Sequence, residues 1–257
     1  MSDAPQDMKT VIEMALQLGQ LQAGFLGQTA HELRSPMSHI MSLQQLILAD
    51  LCDSPEEERE FIAQCYEASK KFMTLLDLAI DVSKLDYGTG ILKADVFDFA
   101  NLVGALERIF VVKAKNKNLK FVVQRSDKTD GEIVIAGDRQ RTEQLLSILL
   151  NTVINQTKGG DVFFDYGIPQ SGQCNFSVRS ADGEDFWQQA TVPDLAIAAK
   201  PNLETLKQTA QNLEFSPHLK WQLCEKIATG LGGGLTKEKS AEGFIQVQGW
   251  LPLGNKK

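Results

Sequence analysis

The chain has 257 residues, of which 43% are hydrophobic and 23% are charged, and its formal net charge is −7. This composition is typical of a globular protein with a core of normal size. The acidic balance disfavours nucleic acid as a partner, because nucleic acid rewards a basic face, and the apolar runs are too short for membrane insertion. Four scattered cysteines without a C-x-x-C pair favour reduced thiols in a cytoplasmic protein over structural zinc.

Two helical segments are predicted in the first third of the chain, after an N-terminal helical lead-in over residues 1–19. In each segment apolar residues recur at steps of three and four, so that they share one face of a helix. They are Leu33, Met37, Ile40, Leu43, Ile47 and Leu51 in the first segment, and Phe61, Cys65, Ala68, Phe72, Leu75, Ala79 and Val82 in the second.

A helix start separates the two segments. Ser54 is expected to cap the second helix, Pro55 fits its first position, and Glu57 completes a capping box. The segments therefore form a helical hairpin over residues 20–87. A hairpin with one apolar seam on each helix is best buried as a homodimeric four-helix bundle, although both helices packing on the following domain is an alternative.

His31 lies in an unusual context on the first predicted helix, in the stretch AHELRSPMSHI. It precedes Leu33 by two residues, about 200° around the helix, and is therefore expected to face solvent. Pro36 removes one backbone hydrogen bond and should kink the helix nearby. His39 is eight residues further on, about 12 Å along the axis, too far from His31 to share a metal, so it is read as an ordinary bundle residue.

After residue 88 the pattern changes to short strands separated by helices. Strands are predicted for KFVVQ, EIVIAG, DVFFDYG, CNFSVRS and GFIQVQGWLPL, and helices over 98–115, 138–157 and 217–231. Residues 88–257 are thus expected to form an α/β-sandwich with a largely antiparallel sheet. The fold class of the whole chain is α+β.

Three stretches resemble parts of two-component sensor histidine kinases. FLGQTAHELRSPMSHI resembles the H-box of that family, DVSKLDYG resembles the link after its second dimerisation helix, and VFDFANLV resembles the strand and helix that open its ATP-binding domain. The resemblance implies a dimerisation and phosphotransfer domain followed by a Bergerat-type domain. It also implies that His31 is the phosphoacceptor, that Glu32 is its general base, and that Ser35 orients water for phosphatase activity.

The nucleotide site is where the chain departs from the family. Asp138, Arg141, Gln144 and Thr157 set the register of the helix that normally carries Mg²⁺-binding asparagines. In that register Ile148 and Thr152 replace the asparagines. Asn151, next to the ligand position, is a candidate for Mg²⁺ and ATP only if the helix is rotated, and Asn155 replaces the usual cation; both also fit ordinary surface asparagines.

The adenine and lid positions are changed as well. Ser180 replaces the adenine-binding aspartate of the family, and a shift of two residues would place Asp182 there with Gly183 beside it, although Asp-Gly is also an ordinary turn. Where lid glycines are expected the chain has SPHLKW, with Ser216, His218 and Lys220. Ser216 and Pro217 instead indicate a plain helix start, with His218 an exposed first-turn residue.

Two further segments bear on the predicted nucleotide site. GLGGG at 230–234 follows a helix and is not followed by Lys-Ser/Thr, so it is interpreted as a helix-to-strand turn and not as a phosphate loop. Residues 184–215 replace the ATP lid. They cover the vacated pocket, bind a partner, or pack as an ordinary loop and helix; the sequence leaves these three open.

The favoured function is phosphoryl exchange between His31 and a response-regulator receiver domain, by a chain whose own ATP site is degenerate. Loss of several positioning groups together should slow ATP-driven transfer by many orders of magnitude. The alternatives are an active kinase that uses ATP and Mg²⁺, and a non-enzymatic dimeric scaffold. About 20 residues precede the H-box, too few for a sensor domain, so a signal is expected to arrive through a separate sensor or kinase, unless the chain is a fragment of a longer one.

Overall fold

The computed structural model describes residues 27, 29–86, 95–126, 131–169, 172–180, 186–188, 216–239 and 244–254. The lead-in predicted for residues 1–19 lies outside them. The described residues form two compact units. The first contains those up to Ile80 together with Ser216–Leu219, and the second contains those from Asp81 to Gln188 and from Lys220 onwards. Within these ranges, no helix combines the length and hydrophobicity needed to span a membrane.

The first unit is a helical hairpin. Helix α1 covers residues 29–48 and continues through Pro36, and helix α2 covers Pro55–Asp86. The predicted helix start is confirmed, with one difference in detail. The Glu57 amide donates to Ser54 Oγ at 3.1 Å, but the Glu57 carboxylate accepts from the amide of Asp53 at 2.7 Å, one residue before the cap.

The apolar seam predicted for α1 is partly wrong. Apart from Leu43, the buried face is one residue out of register and contains three polar side chains, and the predicted seam residues Met37 and Leu51 are 41% and 61% exposed. The buried residues are Thr29, Glu32, Pro36, His39 and Leu43. The seam predicted for α2 is confirmed at Phe61, Ala68 and Leu75, which are buried, while the side chain of Val82 lies outside the described part of the chain. Periodicity failed on α1 because it assumes that polar residues face water.

The second unit is an α/β structure in which the predicted helices and strands occur in the predicted order, together with one strand, Gly234–Lys239, that is not among them. Its helices are α3, Phe99–Asn116; α4, Arg139–Gln156; and α5, Pro217–Gly230, which begins in the first unit. Its strands are β1, Asp95–Asp98; β2, Lys120–Arg125; β3, Val134–Gly137; β4, Asp161–Gly167; β5, Gln173–Ser180; β6, Gly234–Lys239; and β7, Ile245–Pro252.

Five strands form the main sheet in the order β2-β4-β5-β7-β6, and β1 pairs with β3. Only the β2–β4 pair of the main sheet is parallel, so the predicted largely antiparallel sheet is confirmed. Asp98 caps α3 by accepting from the amide of Ala100, and Asp138 caps α4 by accepting from the amide of Arg141. Arg141 in turn donates to Gln144 at 2.9 Å.

The GLGGG segment is confirmed as the turn between α5 and β6. Gly232 adopts a left-handed φ of +75°, which glycine reaches without steric cost. The Gly233 amide donates to the carbonyl of Ala228 at 2.9 Å, which closes the end of α5. A Cβ atom at Gly233 would lie 2.1 Å from the backbone oxygen of Trp250, so this glycine permits the close approach of β7.

This close approach predicts that Gly233→Ala destabilises the protein. The new methyl group meets backbone, which cannot rotate away, and overpacking of this kind costs about 1–3 kcal/mol. The free energy of unfolding is measured by urea titration. Gly159→Ala is the matched control, because a Cβ there has no heavy atom within 4 Å. Equal stability of the two variants would contradict the proposed constraint.

Candidate functional site

His31 lies on α1 in the first unit and is half-buried, whereas the sequence predicted a solvent-facing side chain. Ser35, one turn further on, is also half-buried. Glu32 differs most from expectation, because its side chain is buried with 5% exposure. The predicted phosphoacceptor therefore lies at the edge of a packed surface, with its predicted base on the interior side.

Glu32 is held by a residue 184 positions away. The backbone amide of Ser216 donates to Glu32 Oε2 at 2.9 Å, and the Ser216 hydroxyl donates to Glu32 Oε1. Both residues belong to the first unit. The Ser216 hydroxyl oxygen also accepts from the amide of Leu219 at 3.1 Å, which confirms the predicted helix start at Pro217. His218, expected to be exposed, is half-buried in the first turn of α5.

His39 is buried within the hairpin, with 1% of its surface exposed. Neither ring nitrogen makes a hydrogen bond to any described residue. Burial lowers the pKa of His39, and the positive charge of Lys71 lowers it further. His39 is therefore a neutral interior side chain, which agrees with its interpretation as a bundle residue.

On α4 the predicted nucleotide-site residues are engaged by the protein itself. Thr152, predicted to replace a Mg²⁺-binding asparagine, is fully buried and donates to the carbonyl of Ile148 at 2.7 Å. Asn151 accepts a hydrogen bond from the Lys113 ammonium on α3. The carbonyl of Asn155 accepts from Lys117 at 2.6 Å.

The predicted adenine position is occupied by a pair of hydroxyl groups. Ser180 Oγ lies 2.9 Å from Thr157 Oγ1, and both residues are buried. The Thr157 hydroxyl also donates to the carbonyl of Val153 at 2.7 Å. Because a hydroxyl has one proton, Ser180 must be the donor within the pair. Its proton is thus bound inside the protein.

An aromatic cluster follows β5 in the second unit. Phe186 and Trp187 form a short 3₁₀ turn, and both are buried, with Trp187 only 1% exposed. The Trp187 ring packs edge-on against Trp221 of α5 at 5.6 Å. Lys237 of β6 lies 4.6 Å from the centre of the Trp221 ring. This part of the segment that replaces the lid is therefore packed as core.

Asp182 and Gly183 lie outside the described residues, as does most of the segment 184–215. In the described part of the chain, no three His, Cys, Asp or Glu side chains are grouped to hold a metal ion.

Sequence reasoning missed several contacts of the candidate site. Ser216 is predicted as a helix cap, but no local pattern indicates that it also binds Glu32. No sequence pattern indicated that Lys113 contacts Asn151.

The comparisons with known proteins agree with the phosphoacceptor interpretation. The family model described as the His Kinase A (phospho-acceptor) domain matches residues 21–88. Histidine kinase 1 of Arabidopsis thaliana is 30% identical over 138 residues, which cover 54% of this chain and 11% of that protein. The chain spans 11% to 21% of the length of the curated relatives it matches.

Two solved structures share the fold over most of the chain. The histidine kinase AdeS of Acinetobacter baumannii matches with a TM-score of 0.65 and 17% identity, over 88% of this chain and 98% of AdeS. The histidine kinase ThkA, in complex with the response regulator protein TrrA, matches with a TM-score of 0.59 and 19% identity, over 98% of this chain and 66% of ThkA. The expected α+β architecture is thereby confirmed.

These matches and the H-box around His31 define a protein with a histidine phosphoacceptor domain. The chain contains a His Kinase A (phospho-acceptor) domain over residues 21–88, and it is similar to histidine kinases in sequence and in fold. Assembly of its hairpin into a four-helix bundle and the boundaries 20–87 and 88–257 stay predictions.

The buried His39 predicts that stability decreases in mild acid. Its pKa is lowered in the folded state, so below the unfolded value of 6.5 the unfolded chain binds more protons. The contribution of neutral His39 to the free energy of unfolding is complete above pH 6.5 and is lost as the pH falls through the lowered pKa. Urea unfolding at about pH 7.5 and about pH 5.5 measures the difference.

The variant His39→Leu removes this proton-linked contribution while filling a similar volume. The loss of stability between the two pH values should therefore be smaller in His39→Leu than in the wild-type chain, compared at equal protein concentration. An identical loss in both proteins would show that His39 does not contribute.

Proposed function

We propose that this chain is a phosphotransfer module in which His31 exchanges a phosphoryl group with a response-regulator receiver domain, while its own nucleotide site is degenerate. The observation that carries this proposal is the Ser180–Thr157 hydroxyl pair at the adenine position. Adenine recognition of the family type needs a buried acceptor for the exocyclic amino group. A buried group left without its partner costs about 1–3 kcal/mol.

The groups expected to bind Mg²⁺ also fit that ion poorly. Thr152 offers a hydroxyl already bonded within its own helix. Asn151 has its side-chain oxygen bonded to the Lys113 ammonium, and a divalent cation at the same oxygen would meet that positive charge. Asn155, Asp182 and Gly183 remain the other candidates for contacts with ATP. We therefore derive no step through ATP or Mg²⁺.

The chemistry at His31 needs only a phosphorylated partner. A ring nitrogen of His31 attacks the phosphorus of an aspartyl phosphate on the receiver. The new P–N bond forms as the P–O bond breaks, and the aspartate leaves as a carboxylate. The proton on the other ring nitrogen passes to Glu32. In the reverse direction the receiver aspartate attacks and the proton returns to His31.

The proposed site suggests a role for Ser35 and a class of partner. Ser35, one helical turn after His31, is in position to orient a water molecule for dephosphorylation of the partner. A receiver domain is the natural partner class for such a site, and the ThkA structure that shares this fold contains a response regulator. A separate sensor or kinase would supply the phosphorylated receiver.

The test combines nucleotide binding with phosphotransfer. Calorimetry with ATP and Mg²⁺ should show no binding heat. A panel of receiver domains phosphorylated with acetyl phosphate should include one that transfers label to the wild-type chain, but not to His31→Gln. His218→Gln, also a half-buried histidine of the first unit, is the matched control and should retain labelling.

The outcomes separate three functions. Label on His31 without ATP binding supports the phosphotransfer module. Clear ATP binding with His31-dependent autophosphorylation would replace it by an active kinase. If no receiver transfers label to His31 or loses phosphate through it, the remaining function is a dimeric scaffold.

Homodimer formation is proposed separately, on the exposed apolar side chains of the hairpin. A monomeric protein rarely leaves such a surface open to water. The residues are Met37, Met41, Leu48, Ile62, Tyr66 and Met73. Light scattering should give twice the mass of one chain, and a monomeric mass at micromolar concentration would contradict the proposal.

A further inference from the structure

The Glu32–Ser216 pair, here called the clasp, joins the predicted general base to the start of α5. Glu32 and Ser216 are each only 5% exposed, so the clasp lies away from water. Hydrogen bonds to an ionised group are about twice as strong as neutral ones, and both carboxylate oxygens accept one. The clasp is therefore a strong local restraint on the Glu32 side chain.

The Ser216 hydroxyl group makes two hydrogen bonds in this arrangement. Its hydroxyl proton goes to Glu32, and its hydroxyl oxygen accepts from the amide of Leu219. Glu32 also lies at the amino end of a helix of 14 residues, where the partial positive charge of the helix favours an anion. Three features of one helix end thus hold the carboxylate in place: the amide, the hydroxyl and the dipole.

The clasp engages both oxygens of the carboxylate that is predicted to accept the proton of His31. Consecutive residues of an α-helix project about 100° apart, so the side chains of His31 and Glu32 leave α1 in different directions. To accept a proton from the His31 ring, a carboxylate oxygen must exchange its hydrogen bond with Ser216 for that proton. In the clasp the carboxylate is fixed against Ser216, on the buried side of the helix.

We propose that Ser216 is a positioning residue that restrains Glu32 and slows phosphoryl transfer to His31 while the clasp is closed. This inference rests on the proposed function, because it takes His31 as acceptor and Glu32 as base. When the P–N bond forms, the ring proton must move to a carboxylate that is also the acceptor of the two Ser216 hydrogen bonds. Opening the clasp releases Glu32 for that proton.

Variants of Ser216 separate this role from helix capping. Ser216→Asp keeps a side-chain oxygen that caps α5, but replaces the hydroxyl donor with a negative charge beside Glu32. Ser216→Ala removes the hydroxyl and leaves the backbone amide. Ser216→Thr keeps both the cap and the hydroxyl donor, and is the conservative control.

The experiment uses phosphoramidate as a small phosphoryl donor, so that no receiver is needed. The P–N bond of phosphoramidate breaks as the P–N bond to His31 forms, and ammonia leaves. Phosphohistidine is followed by ³¹P NMR. We expect the rate constant to rise about ten-fold in Ser216→Asp, equivalent to a lost hydrogen bond to a charged group, less in Ser216→Ala, and not at all in Ser216→Thr.

Two double variants show whether the gain acts through the clasp. Adding Glu32→Gln to Ser216→Asp should abolish the gain, because the released base is then absent. Adding His31→Gln should abolish labelling altogether. A general loosening of the structure would not depend on Glu32, so the first double variant distinguishes positioning from a structural effect.

An unchanged or lower rate in both Ser216→Asp and Ser216→Ala, with thermal unfolding like that of the wild type, would overturn the inference and leave the proposed function intact. If Ser216→Asp does not fold, Ser216→Ala decides by the same criterion. Absence of His31 labelling in every protein, with donor and receiver alike, would instead refute the proposed function.

Discussion

A buried polar group needs a hydrogen-bond partner inside the protein, and this requirement shapes the chemistry of both units. In the first unit the group is the Glu32 carboxylate, and Ser216 supplies two donors to it. A carboxylate next to a phosphoacceptor is expected to be accessible to that residue. Its burial at the start of α5 makes its availability depend on a residue distant in the sequence.

The same requirement accounts for the nucleotide-site positions of the second unit. Thr152, Thr157 and Ser180, at or beside the predicted nucleotide-site positions, are buried and hydrogen-bonded within the unit. Hydroxyl groups can satisfy each other at small volume, whereas a lone buried carboxylate cannot. The polar groups of this part of the second unit are thus directed inward.

Periodicity and turn chemistry predicted most of the fold, because they act locally. The helices α3, α4 and α5 begin and end within one or two residues of the predicted limits, and the strands with alternating or continuous apolar residues were found. The buried face of α1 was not predicted, because Glu32 and His39 are polar and lie inside. No apolar pattern predicted strand β6, because its sequence, GLTKEK, contains too few apolar residues.

The sequence by itself determined the phosphoacceptor domain and the position of His31 within it, because both depend on residue types at fixed spacing. The tertiary structure decided what those residues contact: Ser216 against Glu32, Lys113 against Asn151, and Trp187 against Trp221. The partners in these contacts are separated by between 34 and 184 positions. Contacts over such separations arise only when the chain folds, so no local pattern encodes them.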